Sequence, residues 1–572
     1  MRCRTAFTGL SGTAVAAMLA AAPIAAKSPP RRALPIDAAR CAALARLPGV
    51  RAALWHPPGP VASGGPADPT TSLPAHCEVT GALDPRLGEG GQRYAIGFRM
   101  RLPAAWNGRF LFAGGGGSNG VVGPATGAVG LGNPLALTRG YAVMAQDSGH
   151  DNALNVDPQR GGALVFGFDP IARRNYGHAS LPRSTAMAHR LLRTLYRRDA
   201  VHSYFYGCSK GGQEGMALAQ KYPRLFDGIV AAAPGFSLPK AALAQIWSVQ
   251  RLAALTGARQ AGELARGFSK RDFALVRETI LETCDADDGL ADGMVSAIGR
   301  CTAARLRPVF AARACRPGQN QGCLPAPRIE TLFAIMDGPR NRAGVSLYAS
   351  FPWDAGVGLD GWSGWVTGGE GGALARNVTL GAGSLAAVFT APPTPLSTDP
   401  EAQLQWALAF DFDRDAPRIF ATAPGFSHSG WDDIAARSSD LSAFAAHGGR
   451  LIVPHGMADP VFSANDTLAW WDELDARMNG RAAAVARVFP VPGMNHCAGG
   501  DATDRFDALS ALVDWVETGK APDLIVAGTG GATRWPGRTR PLCAWPRQAR
   551  YSGTGNVEDA ASFTCAAPPA PR

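Results

Sequence analysis

Hydrophobic residues make up 46% and charged residues 18% of this 572-residue chain, which is typical of a packed globular protein and unlike a disordered one. The net charge of +10 comes mainly from arginines scattered along the sequence, without a dense basic block. The composition therefore argues against a nucleic-acid partner. Beyond the N-terminus no stretch is apolar enough to predict a membrane span.

The first 26 residues predict a secretory signal peptide. Residues 1–4 form a short basic start, and residues 8–26 form an apolar, alanine-rich run that ends in small residues, which favours cleavage after Ala26. An N-terminal membrane anchor is the alternative, but Pro23 interrupts the run and no stop-transfer pattern follows. We therefore expect an exported protein, in the periplasm or the medium, with no membrane partner.

Two regions alternate short apolar strands with helices, which predicts a mainly parallel sheet covered on both faces. In the first region the expected strands are 110–113, 140–145, 203–207 and 228–233, and the expected helices are 184–196 and 213–222. The pattern resumes late in the chain with strand 450–454, helix 468–478 and strand 485–491.

The pattern lapses between these regions, in a stretch rich in glycine, proline and tryptophan. We interpret this stretch as a lid inserted late in an α/β-hydrolase fold. The expected division is a signal peptide at 1–26, a first catalytic part at 27–235, a lid with a calcium loop at 236–447, and a second catalytic part at 448–572.

The sharpest motif is Gly-Cys-Ser-Lys-Gly at 207–211, a G-x-S-x-G sequence between a predicted strand and a predicted helix. In an α/β-hydrolase this tight turn raises the serine hydroxyl above the sheet. An ordinary turn is the alternative, since glycine and serine are common in turns, but the strand before and the helix after disfavour it. Ser209 is therefore the predicted nucleophile.

Asp459 and His496 are predicted to complete a Ser-His-Asp triad. In this fold the acid and then the histidine follow the serine in chain order, after late strands. Asp459 follows strand 450–454, and His496 follows strand 485–491. Alone, each residue is explained as a turn cap or an ordinary loop histidine, but their joint placement favours the triad.

Eleven cysteines include Cys3 in the signal peptide, and the other ten predict disulfides in an exported protein. Spacing suggests four pairs close in sequence: Cys41 with Cys77, Cys284 with Cys301, Cys315 with Cys323, and Cys543 with Cys565. Cys208, directly before Ser209, and Cys497, directly after His496, are left for each other. Such a bridge holds Cα atoms about 5.5 Å apart and would join nucleophile to base. Spacing alone does not prove this connectivity.

The oxyanion of acyl transfer needs hydrogen-bond donors. The backbone N–H of Lys210, directly after the nucleophile, is one expected donor. The second is expected in the glycine-rich loop 114–120, with Gly116 preferred and Gly115 the alternative. A phosphate cradle is disfavoured, because the loop lacks the P-loop lysine and the dinucleotide spacing.

A second cluster lies in the aspartate-rich segment 284–295. Clustered carboxylates separated by glycines suit a hard cation, and Ca²⁺ is the expected ion. The candidate ligands are the carboxylates of Asp285, Asp288 and Asp292 and the carbonyls of Leu290 and Met294. The segment is not an EF-hand, because its glycine register differs and a serine stands in place of the closing glutamate. A solvated acidic loop held by a disulfide is the alternative.

These residues together resemble the tannase and feruloyl esterase family over nearly the whole mature chain. The matching motifs include Trp-Asn-Gly-Arg-Phe at 106–110, Ser-Tyr-Phe-Tyr-Gly-Cys-Ser at 203–209, Phe-Asp-Gly-Ile-Val at 226–230, His-Gly-x-x-Asp at 455–459 and His-Cys at 496–497. The resemblance implies hydrolysis of galloyl, feruloyl or related hydroxybenzoyl and hydroxycinnamoyl esters. Because the family includes mono(2-hydroxyethyl) terephthalate hydrolases, terephthaloyl monoesters are also expected substrates.

The resemblance also implies structural calcium at the aspartate loop, Phe462 as an aromatic wall beside the substrate ring, and further contacts from lid residues 380–389. Lys210 is a departure, since family members often carry a smaller or acidic residue there. It leaves the backbone donor intact but is expected to alter the charge that the acyl group tolerates. No redox or organic cofactor is implied. A calcium-dependent binding protein on an inactive hydrolase fold and a secreted serine peptidase are the alternatives, and the intact triad disfavours the first.

Overall fold

A computed structural model describes residues 36–60, 72–319, 321–369, 372–531 and 533–568. The predicted signal peptide, residues 1–26, and Cys3 lie outside the described residues. Within them, no helix is both long and apolar enough to cross a membrane.

The strands are β1 Val50–His56, β2 Gly59–Pro60, β3 Ser72–Leu73, β4 His76–Leu87, β5 Arg93–Pro103, β6 Arg109–Ala113, β7 Ala142–Gln146, β8 His202–Cys208, β9 Gly228–Ala232, β10 Arg450–Gly456, β11 Ala486–Val491, β12 Leu524–Gly528, β13 Thr539–Cys543, β14 Gln548–Tyr551 and β15 Phe563–Ala566. Nine of them form one sheet in the order β1-β4-β5-β7-β6-β8-β9-β10-β11. The six strands from β7 to β11 in this order are parallel, and β5, β4 and β1 extend the sheet antiparallel at one edge.

The α-helices are α1 Ala38–Ala43, α2 Pro170–Arg174, α3 Ser180–Tyr196, α4 Lys210–Lys221, α5 Leu238–Thr256, α6 Lys270–Cys284, α7 Ala303–Ala312, α8 Ala326–Met336, α9 Asp360–Val366, α10 Pro400–Ala409, α11 Gly430–Ile434, α12 Ser442–His447, α13 Ala464–Arg477 and α14 Ala508–Thr518. The α/β prediction is confirmed. The six predicted strands correspond to β6 through β11, and each begins and ends within two residues of its predicted bounds.

Neighbouring residues of each strand point to opposite faces of the sheet, so each strand contributes to two cores. Both faces are buried. In β8, Phe205 packs on one side against Phe112 and Phe226, with ring centroids 5.7 and 5.9 Å away. The next residue back, Tyr204, belongs to the opposite core, which includes Leu512 of α14. Helices α3, α4 and α13 cover the first face.

Helices α5 to α12 lie between β9 and β10. Helices α5 to α11 share a large apolar core of their own, whereas Phe444 of α12 packs in the core on the first face of the sheet. The predicted lid, residues 236–447, falls on this helical segment. Its exact domain boundaries stay a prediction. The predicted sheet lacked β1, β4 and β5, and the C-terminal hairpins β12–β13 and β14–β15 were not predicted either.

Candidate active site

Ser209 occupies the sharp turn between β8 and α4. Its φ is 65° and its ψ is −120°, a conformation that residues with a side chain rarely adopt. A Cβ on Gly207 would lie 2.6 Å from the backbone of Gly211, and a Cβ on Gly211 would lie 2.7 Å from the carbonyl oxygen of Gly115. Strand, helix and glycine loop meet here because these positions carry no side chain.

Ser209, His496 and Asp459 form a hydrogen-bonded series. His496 Nε2 lies 2.8 Å from Ser209 Oγ, and His496 Nδ1 lies 2.7 Å from Asp459 Oδ2. Asp459 is buried, and its other oxygen accepts two backbone N–H groups. Burial alone would raise the pKa of Asp459, but interactions with His496 and His455 hold that pKa well below its usual range. The ionised carboxylate keeps the proton on Nδ1 and leaves Nε2 able to accept one from the serine.

His455 is a second buried imidazole at Asp459, and the sequence patterns assign it no role of its own. Its Nε2 lies 3.3 Å from Asp459 Oδ2 and 3.1 Å from the carbonyl oxygen of Phe462. Both of these neighbours are acceptors, so Nε2 carries the proton and Nδ1 accepts the hydroxyl of Thr467 at 2.8 Å. His455 therefore donates to the carboxylate that orients His496.

A disulfide joins Cys208 to Cys497, with Cα atoms 6.0 Å apart. It links the residue before Ser209 to the residue after His496. Four further disulfides have the pairings expected from the sequence: Cys41–Cys77, Cys284–Cys301, Cys315–Cys323 and Cys543–Cys565. Ten cysteines are thus paired in the described chain.

The glycine loop after β6 lies beside the nucleophile turn. The N–H of Gly114 donates to the carbonyl of Tyr206 at 2.9 Å, and the N–H of Gly115 donates to Glu214 Oε2 at 2.9 Å. The N–H of Gly116 has no hydrogen-bond partner among the described residues, and a Cβ at this position would meet nothing within 4 Å. Gly116 therefore suits the expected donor role better than Gly115, whose N–H is engaged.

The Lys210 side chain is buried behind this loop, with 1% of the residue exposed. Its Nζ lies 3.0 Å from Glu214 Oε1 and 4.6 Å from the ring centre of Tyr176. Burial lowers the pKa of Lys210, and the carboxylate of Glu214 opposes that effect. The backbone N–H of Lys210 opens α4, where no intrahelical acceptor is available.

A small, partly open cavity lies against Ser209. The core domain contributes Gly117, Ser118, Tyr176, Lys210, Val461 and Phe462, and the helical segment contributes Leu238, Ala242, Gln245, Trp365, Leu380, Ser384 and Phe389. The rings of Phe462 and Trp365 face His496 edge-on, with centroids 5.2 and 6.0 Å away. The structure thus brings Phe462 and part of segment 380–389 to the serine, together with Tyr176, Gln245 and Trp365, which the motifs do not single out.

The aspartate-rich loop follows α6, away from this cavity. Asp285 accepts the N–H groups of Asp292 and Gly293, and Asp288 accepts those of Leu290 and Ser296. Burial raises the pKa of Asp285, and burial with a smaller contribution from the charge of Asp292 raises the pKa of Asp288 to about 7.

Asp292 differs from these two carboxylates, because its Oδ2 accepts the Arg540 guanidinium. The N–H of Met294 donates to Asp292 Oδ1 at 3.1 Å. The structure therefore brings the five candidate calcium ligands into one loop. Their three carboxylates do not all approach one another within 4.8 Å in the described chain.

The strand order and the proteins similar to this chain define a carboxylic ester hydrolase of α/β-hydrolase fold. Residues 77–566 match the tannase and feruloyl esterase family. The chain belongs to this family, as the sequence motifs predict.

Among curated relatives, the mono(2-hydroxyethyl) terephthalate hydrolase of Piscinibacter sakaiensis is 44% identical over 543 residues, which cover 91% of this chain and 89% of that protein. A probable feruloyl esterase of Arthroderma benhamiae is 28% identical over 518 residues, covering 88% and 87%. Among solved structures, feruloyl esterase B from Aspergillus oryzae has a TM-score of 0.70 at 23% identity and covers 92% of this chain and 100% of that one. This last likeness shows the fold.

We expect the disulfide beside the serine to be needed for turnover as well as for stability. Replacing Cys208 and Cys497 together by serine opens a link between positions 289 residues apart. Chain entropy then predicts a loss of about 6 kcal/mol of unfolding free energy. We also expect kcat to fall at least tenfold at a temperature where the variant is folded, because His496 is less firmly held against Ser209. Urea unfolding and ester kinetics measure the two effects.

The matched control replaces Cys315 and Cys323, which are eight residues apart. This variant should lose about 2 kcal/mol and keep the kcat of the unmodified enzyme. An unchanged kcat in the Cys208–Cys497 variant would mean that this disulfide serves stability alone.

Proposed function

We propose that this enzyme hydrolyses esters of aromatic acids and that Ser209, His496 and Asp459 are its catalytic triad. The observation that carries the proposal is the series of two short hydrogen bonds from Ser209 to His496 and Asp459, at the wall of an apolar cavity. The names of the relatives, a terephthalate monoester hydrolase and feruloyl esterases, support the aromatic acyl group.

The geometry suggests the order of events. Ser209 Oγ attacks the ester carbonyl while His496 Nε2 takes its proton, and Asp459 stabilises the imidazolium that forms. The backbone N–H groups of Lys210 and Gly116 receive the oxyanion. His496 protonates the departing alcohol, then activates a water molecule that releases the acid from the acyl-enzyme.

The cavity walls favour a flat, apolar acyl group. Phe462 and Trp365 present ring edges beside His496, and Leu380 and Phe389 add apolar surface. Aromatic rings prefer edge-to-face or offset contacts of this kind, which contribute about 0.5–1.5 kcal/mol beyond area burial.

Arg376 favours an acyl ring that carries a negative charge. Its exposed guanidinium lies 5.4 Å from the ring centre of Trp365, and it has no acidic partner in the part of the chain that the structure describes. A cation beside Trp365, which lines the cavity, would attract a carboxylate on the far end of the substrate. Mono(2-hydroxyethyl) terephthalate, the substrate named for the relative at 44% identity, carries such a carboxylate and is the first candidate.

The helical segment 236–447 acts as a lid in this proposal. It contributes half of the residues around the cavity, including Leu238, Gln245 and Trp365, so its sequence sets the acyl specificity. Two observations support export: five disulfides, which persist in oxidising compartments, and the signal peptide predicted at residues 1–26.

The aspartate loop fits a structural calcium ion by the chemistry of its donors. Asp285 and Asp288 are buried carboxylates that accept backbone N–H groups, and Asp288 also interacts with the side chain of Ser296. Burial raises the pKa of both carboxyl groups, so their negative charge needs compensation. A hard cation would supply that compensation. Asp285, Asp288 and Asp292, with the carbonyls of Leu290 and Met294, would hold the ion, which would stabilise the loop without taking part in catalysis.

The function is tested with methyl gallate, methyl ferulate, methyl p-coumarate and mono(2-hydroxyethyl) terephthalate, each with the unmodified enzyme and with Ser209→Ala. We expect at least one ester to release its acid, and Ser209→Ala to reduce kcat by at least 10⁴-fold because the nucleophile is gone. Chromatography of the free acid measures both. Failure of calcium-replete, oxidised enzyme on all four esters, or cleavage of peptides instead, would contradict the proposed substrate class.

The role of Arg376 is tested by comparing two esters that differ in charge. Arg376→Gln should lower kcat/KM for mono(2-hydroxyethyl) terephthalate about tenfold, equal to about 1.4 kcal/mol, and leave methyl benzoate within twofold. Arg342→Gln, which removes another exposed cation, is the control and should change neither value. An equal loss on both esters would mean that Arg376 acts by supporting Trp365.

Calcium binding is tested by thermal and urea unfolding rather than by activity. Removing calcium with a chelator should lower the unfolding free energy, by about 2.7 kcal/mol relative to calcium at one hundred times Kd. Asp288→Asn should abolish this difference. Asp287→Asn should retain it, since Asp287 pairs with Arg305 and is not a proposed ligand. Identical unfolding with and without calcium would refute the site.

A further inference from the structure

The carboxylate of Glu214 joins the nucleophile helix to the glycine loop. Glu214 lies on the buried face of α4, with 1% of the residue exposed. Its Oε2 accepts the N–H of Gly115 at 2.9 Å. Its Oε1 accepts the side-chain amide of Asn119 at 2.9 Å and the hydroxyl of Ser148 at 3.1 Å. One side chain therefore contacts both ends of the segment 115–119.

Both oxygens of Glu214 act as hydrogen-bond acceptors, and a cation lies beside one of them. Besides the three donors above, Lys210 Nζ lies 3.0 Å from Oε1 and supplies the balancing charge. Lys210 in turn lies over the ring of Tyr176, whose hydroxyl donates to the carbonyl of Gly117 at 3.3 Å. A neutral amide in place of the carboxylate would have only one acceptor oxygen, so its NH₂ group would point towards other donors. Charge-assisted hydrogen bonds are also the stronger kind.

Gly116 lies between the two contacts of Glu214. Its carbonyl accepts the N–H of Asn119 at 2.9 Å, so residues 116–119 form a tight turn. Its own N–H is left without a partner in the described chain. We infer that Glu214 is a positioning residue for the oxyanion hole: it holds the turn so that the Gly116 N–H faces the reacting carbonyl. This inference rests on the proposed esterase function.

Glu214→Gln tests the inference with a nearly isosteric change. We expect kcat to fall about 10- to 100-fold. The decrease should not exceed the decrease caused by losing a whole oxyanion donor, because the Gly116 N–H is displaced and not removed. KM should stay within twofold, since the oxyanion exists only in the transition state. These measurements use the ester of the panel that the unmodified enzyme hydrolyses best.

A second readout separates positioning from a merely structural role. Phenylboronic acid forms a tetrahedral adduct with a catalytic serine, whereas the acid released from the chosen ester binds as a product. We expect the inhibition constant of phenylboronic acid to rise by about the same factor as kcat falls, and that of the product acid to stay unchanged. Glu78→Gln is the matched control: Glu78 is a largely buried carboxylate paired with Arg101 at 2.8 Å on the antiparallel edge of the sheet. It should affect thermal stability alone.

Asn119→Gly provides a second variant in case Glu214→Gln does not fold. Asn119 has a φ of 52°, which glycine accepts, so the change removes the amide contact to Glu214 without backbone strain. We expect kcat and phenylboronic acid affinity to fall several-fold together. If either variant folds and has the same kinetics and boronate affinity as the unmodified enzyme, the inference is overturned. An active Ser209→Ala would instead refute the proposed function, whatever Glu214→Gln does.

Discussion

The close approach of three backbone segments is the constraint on which the site depends. The end of β8, the start of α4 and the glycine loop after β6 meet at Gly207, Gly211 and Gly114, where any Cβ would collide. The approach holds Ser209 at a positive φ and directs its hydroxyl to the carboxyl edge of the parallel strands. The loops after β10 and β11 end at the same edge, which is why His496, 287 residues later, reaches the serine.

Two links between elements stabilise this close approach of the three segments. The disulfide between Cys208 and Cys497 links the turn to the histidine loop across a sequence separation of 289 residues. Five residues after Ser209 in the sequence, Glu214 links α4 to the glycine loop. Hydrogen bonds and disulfides that cross between elements limit the independent motion of the groups that must react, and alignment within a fraction of an ångström is what the chemistry demands.

The sequence predicts the parallel half of the fold and the arrangement around Ser209 because their signals are local. Each signal can be found from a few neighbouring residues. The signals are the continuous apolar strands, the G-x-S-x-G turn and the cysteines adjacent to Ser209 and His496. The antiparallel edge was missed, although β5 does alternate, with Tyr94, Ile96 and Phe98 buried between more exposed neighbours. Glu214, Gln245 and Trp365 could not be assigned, since each acquires its role from residues distant in sequence.

Lys210 shows why a residue next to Ser209 need not set substrate charge. From the sequence alone, a cation after Ser209 suggests an altered tolerance for charged acyl groups. In the folded chain its ammonium is buried, paired with Glu214 and covered by the ring of Tyr176, so its field is largely neutralised within the protein. Arg376 lies beside Trp365 without such a partner among the described residues. Selectivity for charge should therefore follow Arg376, whereas the proposed contribution of Lys210 is its backbone N–H, with its ammonium paired to Glu214.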